Sequence, residues 1–212
     1  MIVAIDGGVA TGKSAAGRRV AEALAVPFVD TGLMYRAIAA IVNRDGADIH
    51  DGAALTRLAG RTTIRVDARR VWADGEELTD DIYAPEISEV VSLVAKVAGV
   101  RLAMVAQQRA LGRGGVVMAG RDIGTVVFPD ADLKFFLTAS VEERVRRRSA
   151  QMGKRGEVVD RAAMAAEVEQ RDRLDTERSV APLRAAADAV VINTDPLSLE
   201  QVVDLILAAV RA

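Results

Sequence analysis

The sequence predicts an α/β fold with a parallel sheet at its centre. Short apolar runs alternate with segments whose apolar residues recur at helical spacing, and residues 1–42 follow the order strand, helix, strand, helix. That order is typical of parallel sheets, because a crossover helix must carry the chain from one parallel strand to the next. The chain has 212 residues, of which 50% are hydrophobic, so it is long enough to bury a full core within one domain.

The individual elements follow from the same patterns. Apolar runs predict strands at residues 1–5, 26–29, 116–119, 133–137 and 189–193. Helical spacing predicts helices over residues 14–25, 33–42, 85–98, 100–111, 141–152, 160–173 and 198–209. We therefore expect five parallel strands with helices between them.

Residues 62–78 interrupt this alternation. The runs T-T-I-R-V-D and R-V-W-A-D-G-E-E-L alternate between apolar and polar residues, and Asp74-Gly75 is a hairpin turn signal. This segment therefore predicts a small antiparallel insertion. Residues 153–159 form the only loop whose composition indicates a mobile tip.

Composition and charge exclude several classes of protein. There is no cysteine and a single histidine, His50, which argues against disulfides, thiol catalysis and metal sites built from these residues. No apolar stretch reaches the roughly 18 residues of a spanning helix, and the N-terminus lacks a basic region and a cleavage site. We therefore expect a cytoplasmic protein without a membrane contact. The net charge of −2 argues against nucleic-acid binding by bulk electrostatics.

Positive charge is concentrated in residues 144–161, which contain seven Lys or Arg residues and two acids. By charge alone, this segment is equally compatible with a solvated helix face and with a binding role. A nucleic-acid interface is the weakest interpretation, because no aromatic residues for base stacking are interleaved with the charges.

Residues 7–14 read G-G-V-A-T-G-K-S and match the phosphate-loop pattern G-x-x-x-x-G-K-[ST]. The glycines let backbone N–H groups point at a phosphate, and the following helix adds its N-terminal N–H groups. Lys13 is expected to reach the β- and γ-phosphates of a nucleoside triphosphate, and the Ser14 hydroxyl to ligate Mg²⁺. The predicted nucleotide-binding residues are Gly7, Gly8, Val9, Ala10, Thr11, Gly12, Lys13, Ser14 and Ala15.

The loop alone does not separate kinases from GTPases or motor ATPases. A GTPase usually offers an N-K-x-D motif, which is absent here, and a motor ATPase would exceed this length. Five arginines are spaced around the small domain: Arg36, Arg101, Arg121, Arg171 and Arg178. Guanidinium groups bind phosphate oxygens bidentately and keep their charge, so the set suits a cleft that receives two phosphorylated substrates. A phosphate acceptor, with a second pKa of about 6, also needs no catalytic base.

The chain resembles the bacterial-type cytidylate kinases of the nucleoside monophosphate kinase superfamily over nearly its whole length. The resemblance rests on I-D-G-G-V-A-T-G-K-S, on D-T-G-L-M-Y-R at residues 30–36 and on P-E-I-S-E-V-V-S-L-V-A at residues 85–95. The most specific motifs are G-R-D-I-G-T-V-V-F-P-D-A at residues 120–131 and R-S-V-A-P-L at residues 178–183.

This resemblance implies a fold and an activity. The fold is a P-loop NTPase-type three-layer α/β fold with a five-stranded parallel sheet, within a single kinase domain over residues 1–212. An antiparallel insertion that binds the nucleoside monophosphate is expected at residues 33–101, and a helical lid at residues 144–160. The implied reaction moves the γ-phosphoryl group of ATP to CMP or dCMP, with Mg²⁺, in a monomer.

The resemblance also implies roles for individual residues. The implied substrate-binding residues are Thr31, Tyr35 and Arg36 at the monophosphate, Ser92, Arg101 and Asp122 around the cytosine, Arg121 and Arg178 at the phosphates, and Arg171 and Asp175 near the ribose. The implied catalytic residues are Lys13, Arg121, Arg171 and Arg178. A Ser, an Arg and an Asp can together satisfy the cytosine edge, so UMP should be disfavoured.

Two alternatives remain open. One is a P-loop kinase with a hydroxyl acceptor, such as shikimate, gluconate or dephospho-coenzyme A; these enzymes need a base and lack the motif at residues 120–131. The other is a non-catalytic nucleotide sensor, which we would expect to have lost Lys13 or the lid arginines. The chain also departs from many relatives at Tyr83-Ala84, at Thr31 and at Ala119, where an acid is common.

Overall fold

The computed structural model describes residues 1–67, 70–153 and 160–211. Its strands are β1 (Ile2–Gly7), β2 (Phe28–Asp30), β3 (Ile64–Asp67), β4 (Arg70–Ala73), β5 (Glu76–Glu77), β6 (Val116–Gly120), β7 (Leu133–Thr138) and β8 (Val190–Asn193). Five of them form a parallel sheet in the order β2-β6-β1-β7-β8, and the other three form an antiparallel sheet in the order β3-β4-β5.

Helices cover both faces of the parallel sheet. They are α1 (Lys13–Ala23), α2 (Thr31–Arg44), α3 (Gly52–Arg61), α4 (Pro85–Val94), α5 (Ala98–Leu111), α6 (Val141–Gly153), α7 (Arg161–Thr176) and α8 (Leu199–Arg211), with a 3₁₀ turn at Asp81–Tyr83 and a π turn at Ile123–Val127. None of the helices in the described residues is long and apolar enough to cross a membrane.

The predicted α/β class and the five parallel strands are confirmed. Each predicted strand lies within two residues of an observed one. The apolar runs of β1 and β6 are buried on both faces of the sheet, whereas the edge strand β8 exposes Val190 and Val191. The predicted antiparallel insertion is also confirmed. Asp74 and Gly75 form its hairpin turn with φ values of 50° and 92°, the left-handed conformation that such a tight turn requires.

Two features differ from the prediction. Helix α3 was not expected; Asp51 caps it by accepting a hydrogen bond from the N–H of Ala54 at 2.9 Å. The helix expected over residues 85–98 ends at Val94, because Val97 is extended and starts α5 instead. Most of the loop expected at residues 153–159 lies outside the described residues.

Buried apolar residues form three clusters. One packs α1 and α8 against one face of the parallel sheet, and a second packs α5 and the π turn against the other. The third and largest is built from α2 to α5 and the antiparallel sheet, within residues 33–104. The insertion boundaries 33–101 and the lid at 144–160 stay predictions, and residues 154–159 of the lid lie outside the described chain.

Candidate active site

The phosphate loop connects β1 to α1. Gly7 and Gly12 have φ values of 147° and 95°, and a Cβ on Gly7 would collide with the carbonyl oxygen of Leu137. Ala10 adopts φ 59° although it carries a side chain, a strained conformation of the kind found at binding sites. The glycines therefore allow the loop to adopt positive φ values and to pack closely against β7.

The two side chains at the start of α1 that the sequence predicts to bind phosphate and Mg²⁺ both contact neighbouring chain segments. Lys13 is buried and donates through Nζ to the carbonyl oxygen of Gly8 at 2.5 Å. Burial, followed by the positive charge of Arg121, holds the pKa of Lys13 well below its usual range. Ser14 donates through Oγ to Oδ2 of Asp30 at 2.5 Å. Asp30 also caps α2 by accepting the N–H of Gly32 at 3.0 Å.

A cavity of about 650 Å³ opens beside the loop, at the carboxyl ends of the parallel strands. All ten predicted substrate-binding residues line it, together with six of the nine predicted loop residues: Val9, Ala10, Gly12, Lys13, Ser14 and Ala15. Gly7, Gly8 and Thr11 do not line it; Thr11 is buried and donates to the carbonyl oxygen of Gly8 at 3.1 Å. Residues that are far apart in the sequence are thus brought to one site.

One end of the cavity contains a buried ion pair. Arg101, from α5, donates through Nη2 to Oδ2 of Asp122 at 2.5 Å, and both side chains are less than a tenth exposed. Its guanidinium lies 5.4 Å from the ring centre of Tyr35, and burial raises the pKa of Tyr35 to about 12. Ser92, from α4, and Thr31 line the same cavity, and Thr31 donates to the carbonyl oxygen of Ala119 at 2.9 Å.

Asp175 connects two arginines of the cavity wall. Its Oδ2 accepts a hydrogen bond from Nε of Arg121 at 2.7 Å, and its Oδ1 lies 3.5 Å from Nη1 of Arg178. Burial alone would raise the pKa of Asp175, but the charge and hydrogen bond of Arg121 outweigh it and lower that pKa. Arg178 also donates through Nε to the carbonyl oxygen of Ala181 at 2.5 Å. Both guanidinium groups are therefore held in fixed positions.

Two further arginines of the lining, Arg36 and Arg171, make no ion pair with a carboxylate within the part of the chain that the structure describes. Arg36 donates to the carbonyl oxygen of Ile82 at 2.8 Å and to Oγ of Ser88 at 3.2 Å. Nε of Arg171 is buried without a hydrogen-bond partner among the described residues. Burial, then the charges of Arg121 and Arg36, lowers the pKa of Arg171 to about 10. Anions entering the cavity would relieve this repulsion.

The charge balance of the cavity indicates what it can hold. Its described lining residues include nine Lys or Arg side chains and only three carboxylates. Such an excess of fixed cations, partly removed from water, favours ligands that carry several negative charges. The lining also mixes polar groups with the ring of Tyr35, which suits a planar base as well as phosphates.

Helix α6 contacts the phosphate loop through two arginines. Arg144 makes a two-pronged ion pair with Asp172 of α7 and donates to the carbonyl oxygen of Val9 at 3.3 Å. Arg147 donates to the carbonyl oxygen of Thr11 at 3.5 Å. It also donates to Thr194, at 2.9 Å to Oγ1 and 2.6 Å to the carbonyl oxygen. Arg144 and Arg147 of the basic segment therefore lie against the loop, whereas Arg146 and Arg161 are exposed to solvent.

Sequence reasoning missed several residues of this site. Asp30 was visible only as the first residue of D-T-G-L-M-Y-R, and Arg147 and Arg148 only as members of the basic segment. Asp6 was visible only as the second residue of I-D-G-G-V-A-T-G-K-S. Its carboxylate is buried and accepts the backbone N–H groups of Ile123 and Gly124, each at 2.8 Å. Nothing in the local sequence predicts a contact between residues 117 positions apart.

The sheet, the loop and the arginine-lined cavity define a P-loop protein of the small-kinase type. Among solved structures, the chain is similar over its full length to shikimate kinase from Bacteroides thetaiotaomicron, with a TM-score of 0.50 and 14% identity. It is also similar to an uncharacterized protein from Eubacterium ventriosum, with a TM-score of 0.54, 11% identity and 99% of that chain covered. Likenesses at such low identity concern the fold alone.

The sequence comparisons are more specific. The family model described as cytidylate kinase matches residues 3–212. The chain is 48% identical to the cytidylate kinase of Pelotomaculum thermopropionicum and 46% identical to that of Bacillus subtilis, over 99% of this chain and 96% of each relative. The chain therefore belongs to the cytidylate kinase family. A Synechococcus protein named bifunctional pantoate ligase/cytidylate kinase is 48% identical, and there the match spans only 40% of the relative's length.

Proposed function

We propose that this chain transfers the γ-phosphoryl group of ATP to CMP or dCMP, giving ADP and CDP or dCDP. The observation that carries the proposal is the single cavity that joins Lys13 and Ser14 of the phosphate loop to an arginine-rich wall. Such a cavity suits two phosphorylated ligands placed end to end, and the membership in the cytidylate kinase family supports the choice of substrates.

The donor is bound by the phosphate loop. The backbone N–H groups of residues 7–15 and the start of α1 would surround its phosphates. Lys13 would leave the carbonyl oxygen of Gly8 and contact phosphate oxygens, and their negative charge would raise its lowered pKa. Lys13 would then be a full cation where the charge of the transferred group develops.

Mg²⁺ would accompany the donor. The described residues contain no group of three or more His, Cys, Asp or Glu side chains that could hold a metal ion. Mg²⁺ in kinases typically takes few protein ligands and several oxygens of the phosphates and water, so this arrangement fits the ion. The Ser14 hydroxyl would be its ligand, with the carboxylate of Asp30 beside it. When bound, the ion neutralises charge on the phosphates of ATP.

The acceptor phosphate needs no base. It is already anionic near neutral pH, so one of its oxygens attacks the γ-phosphorus while the bond to the β-phosphate oxygen breaks and ADP leaves. Arg121, Arg171 and Arg178 would stabilise the charge on the equatorial oxygens and position the acceptor. Thr31, Tyr35 and Arg36 would bind the acceptor phosphate from α2.

The base would be recognised at the buried ion pair of Arg101 and Asp122. Oδ2 of Asp122 is engaged by Arg101, while Oδ1 lies 3.9 Å from Nη2 of Arg178 and can accept a hydrogen bond from the cytosine amino group. Arg101 and Ser92 can donate to the acceptor atoms of cytosine. Uracil would set a carbonyl oxygen against a carboxylate, at a cost of about 1–3 kcal/mol.

The ribose would lie near Arg171 and Asp175. Both oxygens of Asp175 already contact arginines, so a 2′-hydroxyl would share an oxygen rather than fill an empty position. The hydroxyl would therefore strengthen binding without being required, which agrees with the use of both CMP and dCMP.

The insertion at residues 33–101 and the lid at residues 144–160 are part of this proposal. The insertion has its own apolar cluster, which supports a body able to move relative to the parallel sheet. Closure of both over the substrates would exclude water and prevent hydrolysis of ATP. We also propose that the chain acts as a monomer, which sedimentation of the protein with and without nucleotides would test.

A coupled assay for ADP release tests the proposed function. Purified protein is given ATP and Mg²⁺ with CMP, dCMP, UMP, AMP, GMP or no acceptor. Turnover with CMP and dCMP, and little with the other acceptors, is the expected result. ATP binding without turnover on any monophosphate would refute the proposal and leave a hydroxyl acceptor or a sensing role.

A further inference from the structure

Asp6 is a buried carboxylate at the carboxyl end of β1, directly before the phosphate loop. It is 4% exposed. Oδ1 accepts the backbone N–H of Ile123 at 2.8 Å, and Oδ2 accepts the backbone N–H of Gly124 at 2.8 Å. Each oxygen thus binds one of two successive amides in a segment more than a hundred residues away in the chain.

The two amides belong to the π turn that follows the strand β6. Arg121 and Asp122, which line the cavity, lie directly before this turn. The first N–H groups of a helical turn lack partners within the turn, and Asp6 pairs two of them. Asp122 has an irregular backbone conformation, with φ −146° and ψ 27°. The hydrogen bonds to Asp6 hold the start of the turn, and with it the adjoining backbone of Arg121 and Asp122.

The charged groups around Asp6 come from three elements. Lys13 of α1 attracts it and Asp122 repels it, and the side chain of Lys134 from β7 packs against Gly124. Among the described residues, no Lys, Arg or His nitrogen lies within 4.0 Å of its carboxylate. Lys134 instead pairs with Asp188 at 2.7 Å. The two backbone amides are therefore the direct partners of this carboxylate.

We propose that Asp6 is a positioning residue that couples the donor loop to the acceptor site, by holding Arg121 and Asp122 in register with Lys13. The inference rests on the proposed function. β1 leads directly into the phosphate loop, and Arg121 and Asp122 directly precede the π turn. The carboxylate of Asp6 therefore connects the donor site to the acceptor site. Its loss should impair acceptor binding and phosphoryl transfer while the ATP site keeps its backbone shape.

Protonation of Asp6 should have the same effect as its removal. Burial raises the pKa of Asp6 to about 6, although its two amide partners lower it. A protonated carboxyl keeps one good acceptor, and its O–H faces an N–H that has lost its partner. In a loosened turn the carboxyl would stay buried but lose the two amides that lower its pKa, so protonation favours the loosened turn even though burial makes it favour the folded protein over the unfolded chain. The turn should therefore loosen locally as the pH falls below about 6, which amide exchange can detect in the unmodified protein.

The test combines steady-state kinetics with nucleotide binding. Asp6→Asn should lower kcat/KM for CMP by about 100-fold, a loss typical of a misplaced catalytic group, while the Kd for ATP changes by less than about 2-fold. Asp6→Glu should recover only part of the activity, because its longer side chain shifts the turn. Asp132→Asn is the matched control: Asp132 also accepts a backbone amide, from Ile2 at 2.6 Å, but at the opposite end of β1. The inference would be overturned if Asp6→Asn weakened ATP binding as much as it lowered kcat/KM for CMP, or if it changed neither value.

Residue-resolved hydrogen exchange provides a second test that does not depend on turnover. The amides of Ile123 and Gly124 should exchange at least about 10-fold faster in Asp6→Asn, and faster in the wild-type protein at pH 5 than at pH 7 after correction for intrinsic exchange. The amide of Ile2 serves as the reference. If these protections do not change, the inference fails even if CMP is a substrate. If wild-type protein does not phosphorylate CMP, the proposed function fails, and the exchange result still decides whether Asp6 holds the turn.

Discussion

Replacing Asp6 with Asn should alter how the stability of the protein depends on pH. Burial raises the pKa of Asp6 from 3.8 to about 6, so the folded protein holds this proton more tightly than the unfolded chain does. The resulting stabilisation is fully present below about pH 4 and is lost as the pH rises through about 6. A shift of about two pKa units corresponds to about 3 kcal/mol in the free energy of unfolding.

The comparison between variant and wild type isolates this effect. The Asn side chain does not titrate, whereas every other carboxylate is shared by the two proteins. From pH 4 to pH 7.5, the wild-type protein should lose about 3 kcal/mol of unfolding free energy relative to Asp6→Asn. This loss corresponds to roughly 6–12 °C in Tm. Urea unfolding at both pH values, followed by circular dichroism, measures it. A difference that stays constant within about 1 kcal/mol would refute the reasoning from burial.

Three predictions concern the substrates. Lys13→Met and Arg178→Met should each lower kcat by at least about 100-fold, since each removes a cation from the transferred phosphoryl group; native circular dichroism with unchanged turnover would contradict this. Asp175→Ala should raise KM for CMP more than KM for dCMP, because only CMP has the 2′-hydroxyl, and equal increases would argue against that contact. Asp122→Asn should reduce the preference for CMP over UMP by about 10-fold, because an Asn amide can donate to uracil. The ratio of the two kcat/KM values measures this preference, and an unchanged ratio would place the base elsewhere.

The sequence predicted the fold well wherever one local pattern decides an element. The five strands are short apolar runs, of which β1 and β6 are buried on both faces of the sheet. The phosphate loop has a fixed spacing between a strand and a helix. Helix α3 was missed because only Leu55 and Ala59 are buried on it, which leaves too few apolar positions for a clear period. The antiparallel hairpin was found because Asp74-Gly75 specifies its own turn.

The site is less accessible to sequence reasoning, because its contacts join distant segments. The ion pair of Arg101 and Asp122 spans 21 positions, and the hydrogen bond of Asp6 to Ile123 spans 117. No spacing rule predicts either contact. The ten predicted substrate-binding residues came instead from motifs shared with a family, and all ten line one cavity. Asp6 was overlooked because its partners are backbone amides, which leave no residue-specific signal in the sequence.

The central claim is that one cavity holds the donor and acceptor phosphates in line for transfer. It is tested most directly by the affinity of a compound in which adenosine and cytidine are joined through five phosphates, measured by calorimetry. We expect a Kd at least about 100-fold lower than that of ATP or CMP alone, and weaker binding of the uridine counterpart. Binding of the linked compound no tighter than ATP would contradict the claim that the two sites adjoin.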